Sequence, residues 1–391
     1  MTELLLISMF RSGSTTLARA LNAHKEIAFA SDPYLEIFKC LRSDIAEDLG
    51  IKTLFSHPLD DYYFSPEGNS LLRDIEVAKP ERIFNAENWE MLMPVLEKRC
   101  MAYSANLTPY LQNIMGNTYQ EIFSLGLAQI AKCYGDEQTK VTGFKEVWGI
   151  EFVPFFLNMF PNGKTIILQR DPRAVCASKN KTQEKYPWIF LCRQWRKIAA
   201  LGWYFSQHEK YKNNVLVLRF EDFLANPNKI TKKICDFLDI AWDVNIANPE
   251  SYKGGGGEVW KQNTSFGSGE AKFDTNATQR WRKSLSREEC AYIEYMCGPE
   301  MQLFGYEAIE TQPEERDYWV SSSPRIDDED QANWMKPIVS NRADILIQQM
   351  KLEMIRYDLL LEYQSKNKTL EESFLKERVF TEIKKLYQHN R

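Results

Sequence analysis

Residues 4–10, Leu-Leu-Leu-Ile-Ser-Met-Phe, form an apolar run, and they lead into the small, polar Arg11-Ser12-Gly13-Ser14-Thr15-Thr16 and a helical Leu-Ala-Arg-Ala-Leu-Asn-Ala-His ending at His24. A buried strand over 3–9 that breaks into a tight turn and restarts as a helix commits the chain to an α/β architecture. Such a turn aims free backbone N–H groups and the positive end of a helix dipole at one point, which makes Arg11 to Thr16 a candidate phosphate cradle. It is not a Walker A loop, because Ser8 stands where that motif needs its first glycine and Ser14 where it needs lysine. A plain helix cap is the alternative reading of the same serines.

Further short apolar runs at 141–145, 164–169 and 215–219 predict buried strands separated by helical patterns. Strand and helix alternate over the first 240 residues or so, which predicts an α/β fold with a mostly parallel sheet flanked by helices and ligands at the carboxyl ends of the strands. The run ending Leu168-Gln169-Arg170 turns through Asp171-Pro172 into a helix that carries Ser178 eight residues after Arg170. Arg170 offers a planar fork of donors to a phosphate and Ser178 a hydroxyl; an Arg–Asp pair capping the helix is the plainer alternative.

The net charge of −5 excludes a general polyanion surface, so no nucleic-acid partner is expected and any phosphate site is local. Eight scattered cysteines with no C-x-x-C pair, and four histidines, predict no metal site and reduced thiols of an intracellular protein. The first apolar run is too short to span a bilayer and lacks a signal-peptide pattern. Residues 40–130 read as helices and loops inserted among the strands, a place for acceptor recognition. Gly254 to Gly257 cannot hold a helix or strand and reads as a mobile loop, either a surface linker or a lid. An acidic, Ser- and Pro-containing stretch over 311–335 reads as a linker. Two helical patterns follow, with apolar stripes through Ile347, Met350, Met354, Tyr357 and Leu361 and through Leu375, Val379, Ile383 and Leu386. They predict a helical hairpin over 336–391, packed either on the preceding domain or on the same hairpin of a second subunit as a homodimer.

Together the two turns resemble the PAPS-dependent sulfotransferase family. Arg11-Ser12-Gly13-Ser14-Thr15 is similar to that family's 5′-phosphosulfate loop in its arginine-first form, as in Golgi carbohydrate and tyrosylprotein sulfotransferases. Arg170 to Ser178 is similar to its 3′-phosphate motif, Leu218-Arg219-Phe220-Glu221-Asp222-Phe223 to its Leu-Arg-Tyr-Glu-Asp-Leu stretch, and Trp281 to Tyr306 to its closing helices. The resemblance spans about residues 1–310, the expected catalytic domain, and reaches neither 40–130 nor 311–391. It implies a P-loop-like sulfotransferase fold with a C-terminal helical extension.

The family chemistry it implies is in-line transfer of a sulfuryl group from 3′-phosphoadenosine 5′-phosphosulfate to an acceptor hydroxyl, releasing 3′-phosphoadenosine 5′-phosphate, without a metal. In these terms Arg11, Ser12, Gly13, Ser14, Thr15, Thr16, Arg170 and Ser178 hold the donor, with Arg11 also meeting charge in the transition state. By analogy with tyrosylprotein sulfotransferases, whose base lies twenty-one residues past the loop arginine, Asp32 is the candidate general base. Its alternative is an N-cap before Pro33, with His57 and Glu36 in reserve. Lys145 either assists the sulfuryl group or is a solvated charge, and Glu146 points to the same face. Asn263-Thr264-Ser265 and Arg280-Trp281 fall where the family closes over the nucleotide. Many relatives of secretory membranes carry an N-terminal anchor, and the lack of such a pattern in this sequence predicts a cytoplasmic location. A glycan, glycolipid or metabolite is the expected acceptor; a nucleotide kinase and a silent scaffold acting through the hairpin are the rival readings.

Overall fold

The computed structural model describes residues 1–51, 62–180, 186, 188–261, 272–309, 352–353, 355–361 and 370–389. Strand β1 (Thr2–Ser8) runs through the turn at 9–13 into helix α1 (Ser14–Asn22), then β2 (Ile27–Ser31) and α2 (Leu35–Asp48). The insert continues with α3 (Pro66–Val77), α4 (Asn88–Tyr103) and α5 (Tyr119–Tyr134). The sheet resumes with β3 (Val141–Val147), α6 (Val153–Met159) and β4 (Lys164–Gln169), passes through α7 (Pro172–Asn180) and α8 (Trp188–Gln207), and closes with β5 (Val215–Arg219), α9 (Phe220–Ala225) and α10 (Pro227–Leu238). Helices α11 (Trp281–Ser284), α12 (Arg287–Gln302), α13 (Leu370–Phe374) and α14 (Glu377–His389) follow.

All five strands are parallel, in the order β2-β3-β1-β4-β5. The four strands anticipated from apolar runs are present within two residues of their expected ends. β2 was not anticipated: Ile-Ala-Phe-Ala-Ser is short and two of its five residues are alanine, a weak strand former, and its extended state rests on pairing with β3, where Ile27 meets Val141 and Ser31 meets Lys145. Chain connections leave β1 and β4 in opposite directions along the sheet, so the β1/β4 crevice is the topological switch point where ligands of such sheets bind.

The chain divides into two compact units, one of Met1–Ser56, Leu71–Gln169 and Phe205–Thr275, the other of His57–Ser70, Arg170–Tyr204 and Asn276–Arg391. In the first, Leu4 to Ile7 of β1 are wholly buried, as a strand covered on both faces requires. Phe144 of β3 anchors an aromatic cluster with Tyr34, Phe38 and Phe123, ring centroids 5.3–6.4 Å away, which fastens α2 and α5 to the sheet. Each such ring contributes roughly 1.5–3 kcal/mol on burial, and the cluster fixes where α2 begins, beside the sheet's carboxyl edge.

The second unit is organised around a buried ion network. Arg196 of α8 reaches Glu353 at 2.6 Å and Glu300 of α12 at 3.5 Å, and Arg356 pairs with Glu300 and donates to the Met296 carbonyl at 3.2 Å. Burial pushes the Glu353 carboxyl up, but Arg196, Arg193 and Arg356 outweigh it and hold the group below its ordinary value. Tyr357 stacks on Tyr295 at 4.8 Å, and Val379 and Ile383 of α14 are fully buried. The face of the C-terminal segment that carries Glu353, Arg356 and Tyr357 is therefore occupied by α8 and α12 of its own chain. The expected linker 311–335, and Ile347, Met350 and Met354 of the expected first hairpin helix, lie outside the described residues. Among the described residues no helix is long and apolar enough to cross a membrane.

Candidate active site

In the first unit the turn after β1 has a backbone that few sequences tolerate. Arg11 and Gly13 both adopt left-handed φ, 61° and 83°. A side chain on Gly13 would fall inside the Phe220 ring at the start of α9, which is why the turn needs glycine there. Gly13 is the N-cap of α1, and no side chain caps that helix. The serines thus do not serve as caps, and the first-turn N–H groups of Ser14, Thr15 and Thr16 stay available to a ligand. The Ser12 Oγ is fully buried with no hydrogen-bond partner. An orphaned hydroxyl beside an uncapped helix N-terminus fits a bound phosphate or phosphosulfate group. Phe10 packs edge-on against Trp148 at 5.1 Å, and the Trp148 N–H donates to the Ser8 carbonyl at 3.0 Å, tying the turn to the end of β3.

Five non-glycine residues among those described have positive φ, and three of them, Arg11, Asp32 and Trp148, lie just past the carboxyl ends of β1, β2 and β3. Such conformations cost about 1–3 kcal/mol each and persist where the surroundings over-determine them, most often at functional sites. Asp32 and Lys145 meet here: Lys145 Nζ lies 2.5 Å from Asp32 Oδ2, both side chains are buried, and the Asp32 N–H donates to the Lys145 carbonyl at 2.7 Å. Lys145 is therefore not a solvated charge. Asp32 does not cap α2, whose N-cap is Tyr34 and which has no side-chain cap. Its Oδ1 is buried and accepts no hydrogen bond, and Arg99 stands 4.0 Å from it.

Arg99, on α4, had no signal in the sequence. It donates through Nε to the Asp32 carbonyl at 3.2 Å and reaches Glu146 at 3.5 Å and Glu36 at 3.8 Å, so a helix of the insert organises the groups at the ends of β2 and β3. Glu146 is fully buried and accepts the Tyr34 N–H. Burial pushes its carboxyl up to about 8; Asp32 adds to the rise, while Arg99, the Tyr34 N–H and Lys145 oppose it. A carboxyl raised above its unfolded value stabilises the fold fully below that unfolded value, and the contribution is lost as pH rises through the folded value. Thermal unfolding is thus expected to show the wild type losing stability relative to Glu146→Gln, by about 2–4 °C in Tm between about pH 5 and pH 8, since the glutamine still accepts the Tyr34 N–H. Parallel pH profiles for the two proteins would show that Glu146 is ionised throughout.

The second unit holds the other expected phosphate ligands. Arg170 immediately follows β4 in the chain; its guanidinium donates to the Ala277 carbonyl at 2.6 Å and its own carbonyl accepts the Trp195 indole N–H at 2.7 Å. Ser178 sits near the end of α7, and both residues are buried. Arg173 pairs with Asp171 at 2.7 Å; it also reaches Glu294 at 2.5 Å and stacks on Trp281 at 4.0 Å. Arg173 and Trp281 thus fasten α7 to α11 and α12.

The Gly254 to Gly257 segment is a tight turn closed by an antiparallel bridge between Lys253 and Val259. The Gly255 carbonyl accepts from the Asn106 N–H at 3.3 Å and the Tyr134 hydroxyl at 3.1 Å, which moors the turn beside the end of α4. His57 and Asn263-Thr264-Ser265 lie outside the described residues.

A sequence profile of the sulfotransferase family matches residues 4–244, more than half of the chain. Among curated relatives, carbohydrate sulfotransferase 1 of Mus musculus is 25% identical over 190 residues, covering 39% of this chain and 41% of that protein. The human protein of the same name is 25% identical over 197 residues, 41% of this chain and 43% of that one. The chain thus spans about two fifths of the length of these relatives. Carbohydrate sulfotransferase 4 of Mus musculus is 20% identical over 353 residues, 80% of this chain and 84% of that protein. Among solved structures, the sulfotransferase domain from the curacin biosynthetic pathway aligns with a TM-score of 0.46 at 17% identity, over 79% of this chain and 99% of that one.

Proposed function

The chain belongs to the sulfotransferase family, and from that premise we propose that it transfers a sulfuryl group from 3′-phosphoadenosine 5′-phosphosulfate to a hydroxyl of a glycan, glycolipid or metabolite. The donor, when bound, supplies an activated sulfuryl group whose departure leaves negative charge on a 5′-phosphate. Arg11 and the N–H groups of Ser12 to Thr16 are the residues to hold that end and to meet the charge. Arg170 and Ser178 are the residues to hold the 3′-phosphate. The observation that carries the assignment of the base is Asp32: Lys145 pins one carboxylate oxygen while the other is buried without a hydrogen bond, ready to take the acceptor's proton.

Calorimetry tests the donor. The protein is expected to bind 3′-phosphoadenosine 5′-phosphate far more tightly than AMP, and Arg170→Ala to remove about 1.5–3 kcal/mol of that preference, the worth of a hydrogen bond to a charged group. Equal affinity of the wild type for the two nucleotides would refute the assignment.

We also propose a cytoplasmic location, supported by eight scattered cysteines with no C-x-x-C pair, six of them buried. A homodimer through the C-terminal helices stays a proposal that light scattering on the full chain decides.

A further inference from the structure

One face of α2, carrying Glu36, Lys39, Ser43, Asp44 and Glu47, and one face of α4, carrying Asn88, Met91, Leu92 and Val95, enclose a cleft of about 800 Å³. Both sets recur at helical spacing, so the cleft follows the helices; from Glu36 to Glu47 it runs about 16 Å at 1.5 Å per residue. Two observations fix its direction. The next turn of α4 beyond Val95 places Arg99, which pairs with Glu36 at 3.8 Å and donates to the Asp32 carbonyl at 3.2 Å. On the other side α2 begins three residues after Asp32. The inner end of the cleft therefore lies at Glu36, which Arg99 links to Asp32, and the described lining ends at Glu47 and Ile51.

The lining is of two kinds. Met91 and Val95 expose 74% and 42% of their surface, large apolar groups a turn apart with nothing covering them among the described residues. The charged groups are three carboxylates and one amine, and that amine, Lys39, is already paired with Glu36 at 2.8 Å. Asn85, Asn88 and Ser43 add neutral hydrogen-bonding groups. Arg99, 3.8 Å from Glu36, and Arg82, 3.9 Å from Asp44, offset part of this charge from outside the lining, but the lining itself presents net negative charge to an anionic ligand, whereas an uncharged ligand with an apolar stretch would bury Met91 and Val95 and hydrogen-bond to the amides.

We infer that this cleft holds the acceptor, and that the acceptor is an elongated, uncharged amphiphile whose hydroxyl is presented at the Asp32 end. The inference rests on the proposed sulfuryl transfer, and it excludes acceptors carrying carboxylate or sulfate groups along the segment that lies in the cleft.

Calorimetry on the full chain, saturated with 3′-phosphoadenosine 5′-phosphate, tests it with two probes below their micellar concentrations, octyl glucoside and its anionic counterpart octyl glucuronide. The glucoside is expected to bind about tenfold more tightly than the glucuronide, and Val95→Asp to weaken the glucoside about tenfold, the worth of one buried aliphatic side chain. Glu47→Lys is expected to narrow the difference between the probes. Affinity for 3′-phosphoadenosine 5′-phosphate, measured separately on each protein, is expected to be unchanged, which also shows that the variants are folded. No binding of either probe, equal binding of both, or a Val95→Asp protein that binds the glucoside like the wild type would overturn the inference. Failure to bind 3′-phosphoadenosine 5′-phosphate at all would instead strike the donor assignment, with the probes then titrated against the nucleotide-free chain.

Discussion

Asp32→Asn is expected to lower turnover by about 10²–10⁴-fold, the range for losing a general base, while leaving affinity for 3′-phosphoadenosine 5′-phosphate unchanged. Asparagine suits the test because it adopts left-handed φ more readily than most residues, and Asp32 has φ of 53°. The substitution also leaves the buried Lys145 ammonium without its counter-charge, and breaking a buried pair costs about 3–5 kcal/mol of stability. The double variant Asp32→Asn, Lys145→Met separates the two effects. Removing the unpaired charge is expected to recover most of the stability and none of the turnover. Near-normal turnover in either variant would assign the proton to another group, with Glu36 and Glu146, both within 4 Å of Arg99, the next to examine.

The proposed donor half of this site could be read in the sequence because its signals are local. β1, the glycine at 13 and the helix after it lie within about twenty consecutive residues, and each choice follows from short-range sterics: an apolar run for a strand buried on both faces, a residue without Cβ where a ring approaches, small polar residues at a helix start. The proposed acceptor half is non-local. Arg99 is one of many charged residues on α4, and only the fold of the insert brings it to Asp32, sixty-seven residues earlier. β2 was missed for the same reason, since its strand state is supplied by β3 rather than by its own side chains. Glu146 was visible as a position at the end of β3, but its raised carboxyl is a product of complete burial, which a sequence does not print. The C-terminal segment shows the same division. Its apolar stripe through Val379 and Ile383 was legible from helical spacing, whereas the Glu353–Arg196 and Arg356–Glu300 pairs, which hold one face of that segment against α8 and α12, required the fold.

Arg11→Ala is expected to differ from Asp32→Asn by weakening both donor binding and turnover. The residue is half-buried in the turn after β1, and burial lowers its pKa, a sign that the guanidinium stands in a partly desolvated setting where its field is screened less than in water. Removing one donor aimed at developing negative charge costs about 10²–10³-fold in kcat. The ground-state bond to a phosphate is worth about 1.5–3 kcal/mol, which calorimetry with 3′-phosphoadenosine 5′-phosphate would read as a loss of roughly tenfold or more. Alanine keeps a Cβ on the same left-handed backbone, φ 61°, so the strain of the turn is retained and the difference reports the guanidinium alone. Arg11→Lys keeps the charge but not the planar fork, and is expected to recover part of the affinity and less of the turnover. If Arg11→Ala left affinity and kcat both near normal, the charge would have to be met by the N–H groups of Ser14, Thr15 and Thr16 alone, and Arg11 would be reduced to a residue that shapes the turn.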